Sequence, residues 1–228
     1  SERLEMAWQV VNAQTRIFAN KEGELKNILG REIAKKFSTL VGDEGGVSPT
    51  ELQGIREALT LNREIIKAAG LEGKVFQAID AAISARYNEE KGVYELKKEG
   101  VTYTKKEMAD FVASIIRDFD LVYVEDVFAE EDWEGWIGGF KQIGPLALVC
   151  GDDLTVTEME RLKRAIDSGA INTILIKINQ NGSISGAVKV TQYALENGVS
   201  VAISHRSGET EDDFIASFVA AAATYTKK

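Results

Sequence analysis

Ile171-Asn172-Thr173-Ile174-Leu175-Ile176-Lys177 decides the fold: a short, nearly continuous apolar run that ends on an ammonium group. A strand covered on both faces reads this way, because the alternation of a half-exposed strand is lost when neither face meets water. Working outward, Val75–Asp80, Leu121–Glu125, Leu146–Asp152 and Val199–His205 have the same form. Each run starts on an aliphatic residue and ends on a group that can ionise, and the segments between are mostly helical in pattern. Alternating strands and helices make a parallel sheet, and in barrels built this way the active site gathers at the carboxyl ends of the strands. The expected class is therefore α/β, a TIM-type β/α barrel with five of its eight strands legible. Asp80, Glu125, Asp152, Lys177 and His205 are expected at one mouth.

Helical periodicity predicts helices over Leu4–Phe18, Glu22–Phe37, Lys105–Asp118, Glu130–Phe140, Ser183–Asn197 and Glu211–Tyr225, with another ending near Gly70. Thr157-Glu158-Met159-Glu160 fits a capping box that would start one more. Gly42–Thr50 reads as a loop, and Tyr87–Leu96 as an outlying hairpin. No linker composition divides the chain, so residues 1–228 are expected to form a single, partial barrel domain.

The net charge of −9 and pI near 4.9 argue against nucleic acid or an anionic membrane as a partner, since no basic stripe offsets the repulsion. The amino end has neither the basic start nor the apolar core of a secretory signal. Phe214–Tyr225 is far short of the ~20 apolar residues that span a bilayer. Cys150 is the single cysteine and lies in an apolar run, which suits a buried hydrophobe and a cytoplasmic protein.

Three carboxylates at successive strand ends, Asp80, Glu125 and Asp152, would repel one another and raise each other's pKa unless a cation joined them. An all-oxygen set without a histidine pair favours a hard ion, and Mg²⁺ fits best. Any one of these acids alone is more simply a helix cap or a solvated loop residue. Lys177 is costly to bury unless it is paired or used. Near a cation its pKa is expected to fall, making it a base for a weakly acidic proton alpha to a carboxylate; a salt bridge to Asp152 or Glu125 is the plainer role. His205-Arg206-Ser207-Gly208 supplies an imidazole, a guanidinium fork, a hydroxyl and backbone amides, the types that hold phosphate and carboxylate. Gly42-Asp43-Glu44-Gly45-Gly46 would let its backbone approach a ligand and aim one carboxylate inward, although taken alone it is a turn.

With these stretches in view, the chain resembles the enolase family, which interconverts 2-phosphoglycerate and phosphoenolpyruvate in glycolysis. The resemblance rests on Val41–Gly46, Val124-Glu125-Asp126, Gly151–Thr157, Ile176–Gln180 and Ser204–Asp212, and covers Val41 to about Tyr225. It implies that Asp80, Glu125 and Asp152 hold Mg²⁺, that Lys177 removes the substrate proton, and that Glu44 assists departure of hydroxide. His205 would contact substrate, Arg206 and Ser207 would hold its phosphate, and Lys228 stands where a further substrate-binding lysine is sought. The family's amino-terminal α+β domain, with a closing loop that helps hold a second Mg²⁺, has no counterpart here, and little turnover is expected from these 228 residues alone. The chain departs from the family at Val127, where a proline is usual, and at Ala85-Arg86, where Glu-Phe is usual. Three functions are open: an enolase, with homo-oligomers among its expected assemblies, an enolase-like protein that binds without catalysis, and an enzyme acting on another acid. The Arg206-Ser207 pair and the Gly42–Gly46 loop favour the first over the third.

Overall fold

The computed structural model describes residues 2–42 and 45–225, with side chains described as far as residue 222. The chain divides into two compact units, Ser1–Gln77 with Asp118–Leu121, and Ala78–Arg117 with Val122–Lys228.

The first unit is helical: α1 (Glu2–Ala19), α2 (Glu24–Leu29), α3 (Arg31–Lys36) and α4 (Ile55–Ala68). Its core gathers Ile17, Phe18, Leu25, Phe37, Leu61 and Ile65, with the Phe18 and Phe37 rings 4.9 Å apart. The single helix expected over Glu22–Phe37 is two, because Gly30 sits at φ 82 and ψ 163, a backbone state closed to residues with a side chain, and breaks the ladder there. The Gly42–Gly46 loop is pinched by Gly42 N–H donating to Gly46 O at 2.8 Å, and Val41 bridges Val47 beyond it.

The second unit is built on five parallel strands: β1 (Ala78–Asp80), β5 (Tyr123–Glu125), β6 (Leu148–Gly151), β7 (Thr173–Ile176) and β8 (Ser200–Ile203), hydrogen-bonded in that order. Three further strands, β2 (Tyr87–Asn88), β3 (Val93–Leu96) and β4 (Val101–Thr104), form a separate antiparallel sheet. The expected hairpin over Tyr87–Leu96 thus gains a third strand. The crossovers carry α5 (Lys105–Phe119), α6 (Trp133–Ile143), α7 (Met159–Ser168), the short α8 (Ile178–Asn181) and α9 (Ile184–Glu196), with α10 (Phe214–Tyr225) after β8. Sequential strands pair because each helical crossover returns the chain beside the strand it left. Among the described residues this sheet keeps two free edges, β1 and β8, so the barrel is not closed. No helix among the described residues is long and apolar enough to cross a membrane.

Every strand is shorter than its apolar run. The interior strand β7 is buried at all four positions, whereas β1 is not, and Phe76 just before it is 54% exposed. The fully buried pattern expected for Val75–Asp80 is corrected by its place at the edge, where only β5 pairs with it. Asn172 fastens the amino ends of β6 and β7: its Oδ1 accepts from Val149 N at 2.6 Å, and its Nδ2 donates to Ala147 O at 3.1 Å. The antiparallel sheet is pinned by fully buried Tyr94, whose hydroxyl donates to Asp132 Oδ2 at 2.6 Å and accepts from Ala129 N at 3.1 Å. Asp132 also caps α6, accepting from Gly135 N, and pairs with Lys105 Nζ at 2.7 Å. A methyl group at Gly139 would lie 2.2 Å from Phe128 Cζ, so only glycine fits between α6 and the Phe128–Trp136 pair. This packing holds the loop that follows Glu125.

Candidate metal and proton-transfer site

Strand register alone places the ionisable groups. Asp80 is opposite Glu125 and Glu125 opposite Cys150, so their side chains share one face of the sheet. Asp152 lies two residues past Cys150 and returns to that face. Cys150 pairs with Thr173, and Lys177 follows Thr173 by four positions, which brings it to the same side. The other face carries Ile79, Val124, Val149, Ile174 and Ile176, of which the last four are fully buried. One period-two rule therefore separates a core face from a charged one.

The structure brings Asp80, Glu125, Asp152 and Lys177 together, though not as one equidistant set. Ligand oxygens of Asp80, Glu125 and Asp126 lie within 4.8 Å of one another, and those of Asp126, Asp152 and Asp153 do likewise. The expected trio is thus divided between two groups that share Asp126. Lys177 Nζ donates to Asp152 Oδ2 and forms its salt bridge, while Tyr123 OH donates to Glu125 Oε2. Asp152 is 5% exposed, and its other oxygen, Oδ1, is buried without a hydrogen-bond partner among the described residues. A carboxylate oxygen left unmatched at depth costs free energy unless a cation or donor is meant to meet it.

The loops around these groups are conformationally unusual. Ala82, Asp126, Val156 and Thr157 all have positive φ, at 42, 43, 44 and 55. For β-branched Val156 this is strain of about 1–3 kcal/mol, tolerated only where surrounding bonds hold it. Those bonds are present: Thr157 Oγ1 accepts from Lys177 N at 2.9 Å, and Asn181 Nδ2 donates to Thr157 O at 2.9 Å. The expected capping box fails for the same reason. Glu158 rather than Thr157 stands at the N-cap position of α7, without a capping side-chain hydrogen bond, and the Thr157 hydroxyl is spent on the end of β7.

Burial raises the Glu125 carboxyl above its ordinary range, with the charges of Asp80 and Asp152 adding to it and the Tyr123 hydrogen bond opposing. Asp80 is raised by burial and then by Asp152 and Asp153, and Asp153 by burial and Asp152. Asp126 is pushed up to about 8, chiefly by burial. For Lys177, burial pulls the pKa down, but the hydrogen bond and charge of Asp152, with Glu125 and Asp153 behind, outweigh that and raise it; the expected fall concerns the site with a cation bound. A carboxyl whose folded pKa is raised binds a proton that the unfolded chain has released. Its stabilisation is therefore full below about pH 4 and is lost as the pH climbs to about 8. One proton is worth about 1.4 kcal/mol per pH unit. With chelator present, Tm is expected to drop by roughly 5 °C between pH 6 and pH 8. A thermal melt at the two values checks this, and a flat or rising Tm contradicts it.

His205, Arg206 and Ser207 are exposed on the loop after β8. Glu209 brackets that loop, accepting from Arg206 N at 2.6 Å and from Asn179 Nδ2 at 3.2 Å. His205 lines a cleft of about 470 Å³ with Asn179, Ser204, Glu209 and Asp212. Glu44 and Lys228 lie outside the described residues. Sequence reasoning assigned no role to Asp126 or Tyr123. Tyr123 was detectable as the polar residue two before Glu125, hence on its face; Asp126 was not, because its inward turn depends on a left-handed backbone that no pattern announces.

Parallel strands that bring three acids and a lysine to successive carboxyl ends define an α/β domain of the β/α-barrel class whose acid groups could hold a metal ion. Residues 8–228 match the family described as enolase, C-terminal TIM barrel domain, and the chain belongs to that family.

Proposed function

We propose that this chain carries the catalytic surface of an enolase-type lyase, a phosphopyruvate hydratase that dehydrates 2-phosphoglycerate to phosphoenolpyruvate in glycolysis, in the cytoplasm. The observation that carries the reading is the pair at the strand ends: half-buried Lys177 held on one oxygen of buried Asp152, whose other oxygen has no partner among the described residues. Family membership supports it, since enolase-superfamily sites pair a Lys or His base with one or two Mg²⁺ ions. The donor chemistry fits Mg²⁺, being all carboxylate and partly protected from water; Asp80, Glu125 and Asp152 are the residues that would hold it, and in this structure they fall in two groups joined by Asp126. Held by these residues, Mg²⁺ would supply positive charge that stabilises the negative charge developing on the substrate when the C2 proton is removed.

The chain's own groups do the rest. Lys177 takes the C2 proton as the neutral amine, so it must first leave Asp152 and give up one of its own protons to solvent, because an ammonium has no free electron pair. Glu44 gives a proton to the hydroxyl leaving C3, so that water departs as the C2–C3 double bond forms. Arg206 and Ser207 hold the phosphate by a planar fork and a hydroxyl, His205 contacts the substrate near the reacting carbons, and Lys228 is retained as a further substrate contact. The test uses the intact protein with 2-phosphoglycerate in D₂O, followed by proton NMR. Loss of the C2 proton signal and appearance of phosphoenolpyruvate are expected only with Mg²⁺. Absence of both with saturating Mg²⁺ overturns the catalytic reading, and metal binding without exchange assigns the chain to the non-catalytic alternative.

A further inference from the structure

We infer that Asp126 is a positioning residue: its carboxylate holds the loop after β6 so that Asp152 presents a carboxylate oxygen to the metal. The inference rests on the metal reading above. Asp126 is 2% exposed, and each of its oxygens already accepts a backbone hydrogen bond, Oδ1 from Asp152 N and Oδ2 from Asp153 N, both at 3.0 Å. Two bonds from one carboxylate to successive amides fix the peptide between them as well as its distance. That peptide carries the Asp152 side chain, whose Oδ1 is the buried oxygen without a partner. Asp126 is anchored in turn: its N–H donates to Cys150 O at 3.1 Å, and its carbonyl accepts from Ile83 N at 3.2 Å. It adjoins Glu125, so one short segment both contributes an acid and sets the spacing to another acid that is remote in sequence. Each oxygen of Asp126 accepts one of these N–H donors, and through them Asp126 acts on Asp152.

Asp126→Asn isolates this role. Asparagine tolerates the left-handed backbone at φ 43 and keeps the shape, but its NH₂ faces an amide N–H, so one of the two bonds is lost. Outer bonds of this kind typically change metal affinity by about 10–100-fold. Mg²⁺ affinity is measured by titration calorimetry, and hydrogen exchange of the Asp152 and Asp153 amides by NMR with chelator present. Asn172→Ala serves as the structural control, since it loosens β6 at its opposite end. Faster exchange at both amides with at least a tenfold weaker Kd in Asp126→Asn, and an unchanged Kd in Asn172→Ala, is the expected result. Asp126→Glu, which keeps both acceptors but displaces them by a methylene, is the second variant and is expected to lose affinity to an intermediate degree. Unchanged amide exchange, or faster exchange with an unchanged Kd, overturns the inference, as does an equal loss of affinity in the control. No Mg²⁺ binding by the parent protein overturns the metal reading and this inference with it, and the amide exchange still reports separately whether Asp126 holds the loop.

Discussion

Lys177→Ala is expected to abolish exchange of the C2 proton of 2-phosphoglycerate with solvent, a loss of at least ~10³-fold, at the upper part of what a positioned base contributes. The reason is geometric: Lys177 leaves β7 on the charged face, and its amine is the cationic group bonded to the acid cluster there. Removing it leaves Asp152 without its ion-pair partner, so affinity for Mg²⁺ should hold or rise while exchange is lost. That split separates loss of the base from loss of the site. Glu44→Gln is expected to behave differently, retaining exchange while failing to release water, because proton removal precedes assisted departure of the hydroxyl. Retained exchange in Lys177→Ala contradicts the base assignment, and equal loss in both variants contradicts the division of roles.

Asp152→Ala is expected to eliminate stabilisation by Mg²⁺. For the parent protein, Mg²⁺ at a hundred times its Kd adds about 2.7 kcal/mol, an increase in Tm of roughly 5–10 °C for a domain of this size. Asp152 contributes both the ion pair to Lys177 and the buried unmatched oxygen, so its truncation removes the group for which a cation is most needed. The melt is run with Mg²⁺ titrated against EDTA. A parent protein that shows no shift, or an Asp152→Ala variant that shifts as much as the parent, contradicts the assignment. In EDTA the variant should lose little, because Lys177 is 20% exposed at its side chain and can turn to water once its partner is gone.

The apolar runs ending on Glu125, Asp152 and Lys177 were legible because a strand buried on both faces leaves a local signature in residue type. Their period of two was legible as well, so the sharing of one face by Asp80, Glu125 and Lys177 followed once pairing was known. The exposed Phe76, by contrast, depended on β1 being an edge, and an apolar residue at an edge looks the same in sequence as one in a core. Thr157 read as a helix cap because the capping pattern is local, and it lost that role to a bond with Lys177 N twenty residues away.

By itself, then, the sequence determined the class of the fold, the alternation of strand and helix, and which acids stand at strand ends, since each depends on residue spacing within a few turns or strand steps. Only the tertiary structure decided that Asp126 joins the two acid groups, that Asp152 is the acid paired with Lys177, and that His205 to Ser207 stand on an exposed loop. Those properties are set by distances between segments that are remote along the chain, and by how far each charge is removed from water. Neither quantity is encoded in a local pattern.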